Sequence, residues 1–230
     1  MLFGLFDNLR RFASVNWLQS FRVNLYYFPL KRAIKLPILF GYGVKIGSLG
    51  NRRAVQIDSK FAQFCFCLKS DPFNMGYRNS YWNLERNAIV TFKGTCRLSK
   101  GTIINVFNGG HLSFGDKFTG NANLLLSCAS HIEFGDDNLL GWNVTIMDND
   151  GGHLVVSKDG EKQLNSPSPI IIGDHVWIAA ETSILKSTQI PANSIIGFRS
   201  ILCGFKHAEQ NVVIAGSTPH IVKNDINWLH

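Results

Sequence analysis

From residue 172 onward, aliphatic residues return every six positions, at Ile172, Ile178, Ile184, Ile190, Ile196 and Leu202. The fifth position of each six is small or β-branched: Val176, Thr182, Thr188, Ser194 and Ser200. A helix returns its apolar stripe every ~3.6 residues and a half-buried strand alternates, so neither produces this spacing. A six-residue period fits a short strand followed by a corner, with the aliphatic side chain pointing inward and the small residue sitting where the chain turns. Three such edges close one triangular coil, and the pattern therefore predicts an all-β solenoid, a parallel β-helix.

The same grammar runs backward with interruptions. Phe134, Leu140 and Ile146 head one coil, Phe114, Gly120 and Leu126 a second, and Phe92, Leu98 and Ile104 a third. Their starts are 22 and 20 residues apart, so a few residues bulge from a corner each time. Phe114-Gly-Asp, Phe134-Gly-Asp and Ile172-Gly-Asp mark equivalent points. The 38 residues between Phe134 and Ile172 exceed one coil by a whole segment, which places a long loop at 152–171. A loop of that length in a compact domain is usually functional. Upstream, Val44-Lys-Ile-Gly and Phe64-Cys-Phe-Cys-Leu alternate and are read as ragged opening coils.

Residues 1–30 carry a different period. Leu2, Leu5, Phe6, Leu9, Phe12, Ala13, Trp17 and Phe21 recur at three-to-four spacing, as one face of an amphipathic helix, with Arg10, Arg11, Ser14 and Arg22 largely off it. Two readings stand together: a cap over the open end of the solenoid, which terminal repeats need, and a peripheral anchor on an anionic membrane surface. The chain thus divides into an N-terminal helical segment (1–43), a β-helix domain (44–223) and a C-terminal tail (224–230).

Charge sharpens the second reading. Residues 1–54 hold nine Lys/Arg against Asp7, so the whole excess of the net +7 lies at this end. Only 17% of the chain is charged and 45% is hydrophobic, which excludes disorder. The longest uncharged apolar runs fall short of the ~20 residues of a spanning helix, and the N-terminus lacks the pattern of a secretory signal. Five cysteines at irregular spacing do not suggest a disulfide framework. A cytoplasmic protein, with at most a peripheral contact at the inner face of the cell membrane, is expected.

The sixes, the run Ile171-Ile-Gly-Asp-His-Val-Trp-Ile, the loop opening Asp150-Gly-Gly-His153-Leu and the late Ala215-Gly-Ser-Thr-Pro-His-Ile-Val-Lys together resemble the left-handed β-helix hexapeptide-repeat acyltransferases. The likeness is to the sugar and polysaccharide O-acetyltransferases and covers roughly residues 92–223. Leu25-Tyr-Tyr-Phe-Pro-Leu-Lys-Arg-Ala-Ile-Lys-Leu-Pro resembles the N-terminal segment of members acting on surface polysaccharide. The resemblance implies left-handed coiling, against the usual crossover rule, and a homotrimer with sites between neighbouring subunits. It implies acetyl-CoA as co-substrate, a sugar or polysaccharide acceptor, no metal and no nucleic-acid partner.

Acetyl transfer from a thioester to a sugar hydroxyl needs a base, and imidazole titrates near working pH. His153 stands where the family carries its catalytic His, in a Gly-His pair before the long loop. Asp148 and Asp150 lie close enough in sequence to orient one of its ring nitrogens. On the acceptor side the resemblance points to Asn121, with Asn143 and Trp177 as further candidates. Along the last coils Ala180, Gly197 and Phe198 match positions lining the pantetheine arm, with His220 or Lys223 near the nucleotide. The chain departs from the family where Cys128-Ala-Ser replaces an acid, where Phe198 replaces a small residue and in Ser200-Ile-Leu-Cys-Gly.

Two rival readings remain. His111 and His131, each three residues before a Phe-Gly-Asp, should stack one coil apart and could begin a metal site of the carbonic-anhydrase-like β-helices, which need three imidazoles. A non-catalytic β-helix assembly protein is the other.

Overall fold

The computed structural model describes residues 13–58, 64–66 and 77–229; the apolar positions Leu2 to Phe12, and Cys67, lie outside them. Among the described residues the chain coils into a left-handed β-helix whose three faces are sheets of nine, seven and six strands. Every strand pairing is parallel except the last, where His220–Lys223 folds back on Val213–Ala215.

The register runs as the sixes require. On the first face Phe40, Phe66, Leu98, Gly120, Leu140, Ile178, Ile196 and Ile214 are successive partners. On the second, Ile46, Trp82, Ile104, Leu126, Ile146, Ile184 and Leu202 follow one another. On the third, Phe92 pairs with Phe114, and Phe134 with Ile172 and then Ile190. The rings of Phe92, Phe114 and Phe134 lie parallel, with centroids 5.3 and 5.6 Å apart. These columns are the core, and the small fifth-position residues Thr182, Thr188, Ser194 and Ser200 are fully buried at the corners. Gly120 occupies an inward position because a Cβ there would meet Leu98 and Leu124 at 2.7 and 2.8 Å.

The coils turn at these corners by placing a residue in the left-handed backbone region. Lys117, Asp137, His175, Asn193 and Asn211 do so between the third and first faces, and Asn123, Asn143, Glu181 and Arg199 between the first and second. Such angles are uncommon for residues other than glycine and are favoured by Asn and Asp.

The solenoid begins at Ile38–Phe40, six residues ahead of the boundary read from the sequence, since this strand pairs with Phe64–Phe66. It is an edge, and an open row of peptide groups invites unwanted pairing. The helix Trp17–Tyr27, capped by the Asn16 side chain, closes it. Asn24 accepts from the Ile38 N–H (3.1 Å) and donates to its carbonyl (2.7 Å), while Ser20 Oγ accepts from the Phe40 N–H at 2.9 Å. The buried face is therefore Ser20, Val23, Asn24 and Tyr27. The sequence left open whether the apolar face meets the coil or a membrane; hydrogen bonding to the edge, not apolar area, fixes how the helix rolls, and the rings of Trp17 and Phe21 stay 37% and 41% exposed.

The C-terminal tail does not trail free. Trp228 is buried, stacks on His175 with centroids 4.2 Å apart and donates its indole N–H to the His175 carbonyl at 2.9 Å. Among the described residues no helix is long and apolar enough to cross a membrane.

Candidate active site

Between the first and second faces the chain leaves each strand through a short segment, and these segments stack. Asn121, Gly141, Ala179, Gly197 and Ala215 follow one another, linked by the N–H of Gly141 to Ile178, of Ala179 to Ile196 and of Gly197 to Ile214. Four predicted residues thus share one edge: Asn121 low on it, then Ala180, then the Gly197-Phe198 pair. Ala180 is nearly buried, and Gly197 is confined because a Cβ would meet that of Ala215 at 2.8 Å. Phe198 projects outward, 57% exposed, with the Arg199 guanidinium over its ring and paired to Glu181. His220 lies opposite Ala215 at the head of the edge, while Lys223 lies opposite Val213, further along the strand. Asn143 accepts a hydrogen bond from Asn123 at 3.1 Å, so its side chain serves the corner.

His153 belongs to another corner. The second-face strand Thr145–Met147 gives way to the loop, which returns as the third-face strand Ile170–Ile172, close to the predicted limits. A small hairpin, bridged between Val156 and Gln163, occupies its middle. Asn165 clamps the loop around the histidine, donating to the His153 carbonyl at 2.7 Å and accepting from the Val155 N–H at 2.8 Å. The imidazole itself is exposed and makes no hydrogen bond to the described residues.

The two carboxylates expected to orient this ring are engaged elsewhere. Asp148 is fully buried and accepts from the backbone N–H groups of Ala129 and Ser130 at 2.7 and 2.8 Å. It caps the preceding coil's corner, where the Cys128 thiol lies 3.6 Å away and is pushed far up by burial and by this carboxylate. Asp150 pairs with Lys186 at 2.7 Å, which holds its carboxyl below the ordinary range. Nearness in sequence misled here, because a residue at a solenoid corner points toward the neighbouring coil rather than along its own chain.

Trp177 lies on the first face between Leu139 and Ile195, with Trp228 6.2 Å away. Sequence reasoning missed the cluster behind it. His175 Nδ1 meets Asp137 at 2.8 Å and its Nε2 meets the Trp228 carbonyl at 3.1 Å. Only the left-handed corner spacing, 38 residues from Asp137 to His175, carried a signal of that pair. Asn165 and Lys186 were missed as well, since no period links a loop residue to its clamp.

His111 and His131 are register partners as expected, with ring centroids 5.2 Å apart. His111 meets the Thr91 hydroxyl at 3.1 Å, and burial with the neighbouring His131 lowers its pKa. His131 faces Glu133, which Lys93 holds at 2.9 Å. Among the described residues no three His, Cys, Asp or Glu groups converge to hold a metal ion. A shallow polar depression of about 250 Å³ lined by Thr95, Arg97, Lys117, Phe118, Thr119 and Asp137 contains none of the predicted residues.

Within one chain, then, the candidate base and the candidate co-substrate edge sit at opposite ends of the second face. They are separated by a side of the coil, roughly 15–20 Å at ~3.3 Å rise per residue.

No protein-family model matches the chain. It is 34% identical to a galactoside O-acetyltransferase of Lactococcus lactis over 53% of this chain and 56% of that one. It is 27% identical to WbbJ of Escherichia coli strain K12, whose name provisionally assigns it to lipopolysaccharide biosynthesis O-acetyl transfer, over 61% of this chain and 74% of that one. The chain spans about half the length of the galactoside enzyme it matches. The crystal structure of the polySia specific acetyltransferase NeuO shares the fold, with a TM-score of 0.53 and 20% identity over 82% of this chain and 89% of that one. Over the matched half the chain is thus similar to sugar O-acetyltransferases, and its fold is shared with a polySia specific acetyltransferase, in line with the resemblance read from the sixes.

Proposed function

We propose that this protein moves an acetyl group from acetyl-CoA to a hydroxyl of a sugar, within a surface polysaccharide or its lipid-linked precursor, and does so as a homotrimer in the cytoplasm. The observation that carries the reading is the pairing of a stacked edge of small residues at Ala180 and Gly197 with an exposed histidine at the clamped base of a long loop, on a chain similar to curated galactoside O-acetyltransferases. The extended pantetheine arm suits that edge, whose small side chains and regular backbone let it lie alongside. The His153 imidazole takes the proton of the acceptor hydroxyl as its oxygen attacks the thioester carbonyl. The resulting tetrahedral centre collapses by breaking its C–S bond, and the departing thiolate takes the proton back from His153. An acetyl ester and coenzyme A leave.

Trimer formation is supported by the loop itself. Beside His153 the base of the hairpin exposes Leu154, Val155, Val156 and Leu164, an apolar patch left uncovered by the described residues. Seated on a neighbouring coil, it would bring His153 to that neighbour's edge and supply what Asp148 and Asp150 do not, a second surface around the imidazole. The test is thiol release from acetyl-CoA with a panel of saccharides, with mass spectrometry of the acceptor. Sugar-dependent release with a stable ester on one hydroxyl is expected. Saccharide binding without thiol release would overturn the reading and leave a non-catalytic assembly protein.

A further inference from the structure

The helix that caps the solenoid is amphipathic the wrong way round for a cap. Its inward face carries Ser20 and Asn24, which bond to the edge strand, while Trp17, Leu18, Phe21 and Leu25 face away from the coil. At 100° per residue these four span one continuous arc, and Leu18 is 72% exposed. Arg22 follows directly beside that arc. The chain then enters the short helix Leu30–Ala33, where Leu30 and Ile34, one turn apart, are 65% and 60% exposed, with Lys31 and Lys35 alongside. Residues 13–57 contain seven Lys/Arg and no acid. Two of these are engaged locally, Arg32 with the Ile57 carbonyl and Arg52 over the Tyr26 ring. Arg22, Lys31, Lys35, Lys45 and Arg53 have no carboxylate partner among the described residues.

We infer that this end of the solenoid docks on the surface of a bilayer containing anionic phospholipid, with Trp17, Leu18, Phe21 and Leu25 entering the headgroup boundary and the unpaired cations meeting lipid phosphates. A helix with an apolar face, a basic flank and a Trp at its border has the build of an interfacial helix. Charge argues against a second copy as the occupant, because a two-fold contact would set Arg22 and its neighbouring cations against themselves. The bonding of the inner face supplies the remaining reason: Ser20, Val23, Asn24 and Tyr27 hold the helix to the coil, while Trp17, Leu18, Phe21 and Leu25 stay available outside. This inference concerns placement and does not rest on the acetyl-transfer reading.

Flotation of the full chain with phosphatidylcholine vesicles, with and without phosphatidylglycerol, at low and high salt tests it. Wild type is expected to float with the phosphatidylglycerol vesicles at low salt and to be released by high salt. Leu18→Gln/Phe21→Gln should weaken binding roughly tenfold or more with melting temperature and solution mass unchanged, since both residues are exposed. Arg22→Gln/Lys31→Gln/Lys35→Gln should weaken it by about fivefold per charge removed. Leu25→Gln, a milder exchange on the same arc, keeps the test valid should the double variant melt early. Absence of wild-type binding, equal binding of the apolar variants, or a drop in oligomeric mass in them would overturn the inference, the last by assigning the face to a protein contact.

Discussion

His153 is the residue on which the chemical reading turns. Its ring is exposed on a loop and touches no core column, so His153→Ala should leave the melting temperature within a degree or two while lowering kcat by roughly 10² to 10⁴-fold, the scale of a lost general base. Thiol-release rates equal to wild type would remove His153 from the mechanism. Asn165 acts one step back, by fixing the loop backbone on both sides of that histidine. Asn165→Ala should lower kcat by about tenfold at unchanged KM for acetyl-CoA, because misplacement rather than lost chemistry is at issue. Asn165→Asp keeps the acceptor for Val155, loses the donor to His153 and should fall between the two. At this scale the sequence was legible only in part. The position of His153 in a Gly-Gly-His before an insertion marked it, but the direction of a side chain cannot be read from neighbours in the chain, and Asp148 and Asp150 turned out to serve Ala129, Ser130 and Lys186.

Elements were the most legible level. A six-residue period leaves a single inward position per edge, so naming Ile172, Ile178 and Ile184 already assigned three faces, and the observed partners Phe134, Leu140 and Ile146 are the ones the spacing demands. The interior admits no water and no counter-charge at such a position. Ile184→Asp would bury an unpaired carboxylate between Ile146 and Leu202, at a cost of several kcal/mol or more. The variant is expected in the insoluble fraction, or as protein without a cooperative melt; a soluble variant melting near wild type would show that the register is wrong. The capping helix was less legible because its periodicity states which residues share a face and not what the face meets. Ser20 and Asn24 look like breaks in an apolar stripe until the unpaired peptide groups of Ile38 and Phe40 are beside them.

The whole molecule poses a problem of distance, and assembly is the proposed answer. His153 leaves the corner between the second and third faces, while Ala180, Gly197 and Phe198 line the corner between the first and second. A rigid coil cannot bring two of its own corners together. If the site is shared, the protein in solution has three times the 25.7 kDa chain mass, and each site takes its base from one chain and its co-substrate edge from the next. Hybrid trimers decide the matter. Phe198→Asp puts a carboxylate on the exposed part of the edge, where an anionic carrier must lie, and should lower kcat/KM for acetyl-CoA by at least roughly tenfold; His153→Ala should be inactive on its own. When the two variants are dissociated together in equal amounts and reassembled, about one site in four combines an intact base with an intact edge. Activity should therefore recover toward roughly a quarter of wild type, well above either parent. A site contained within one chain would gain nothing from mixing, and activity that stays at the mean of the two parents would refute the shared arrangement.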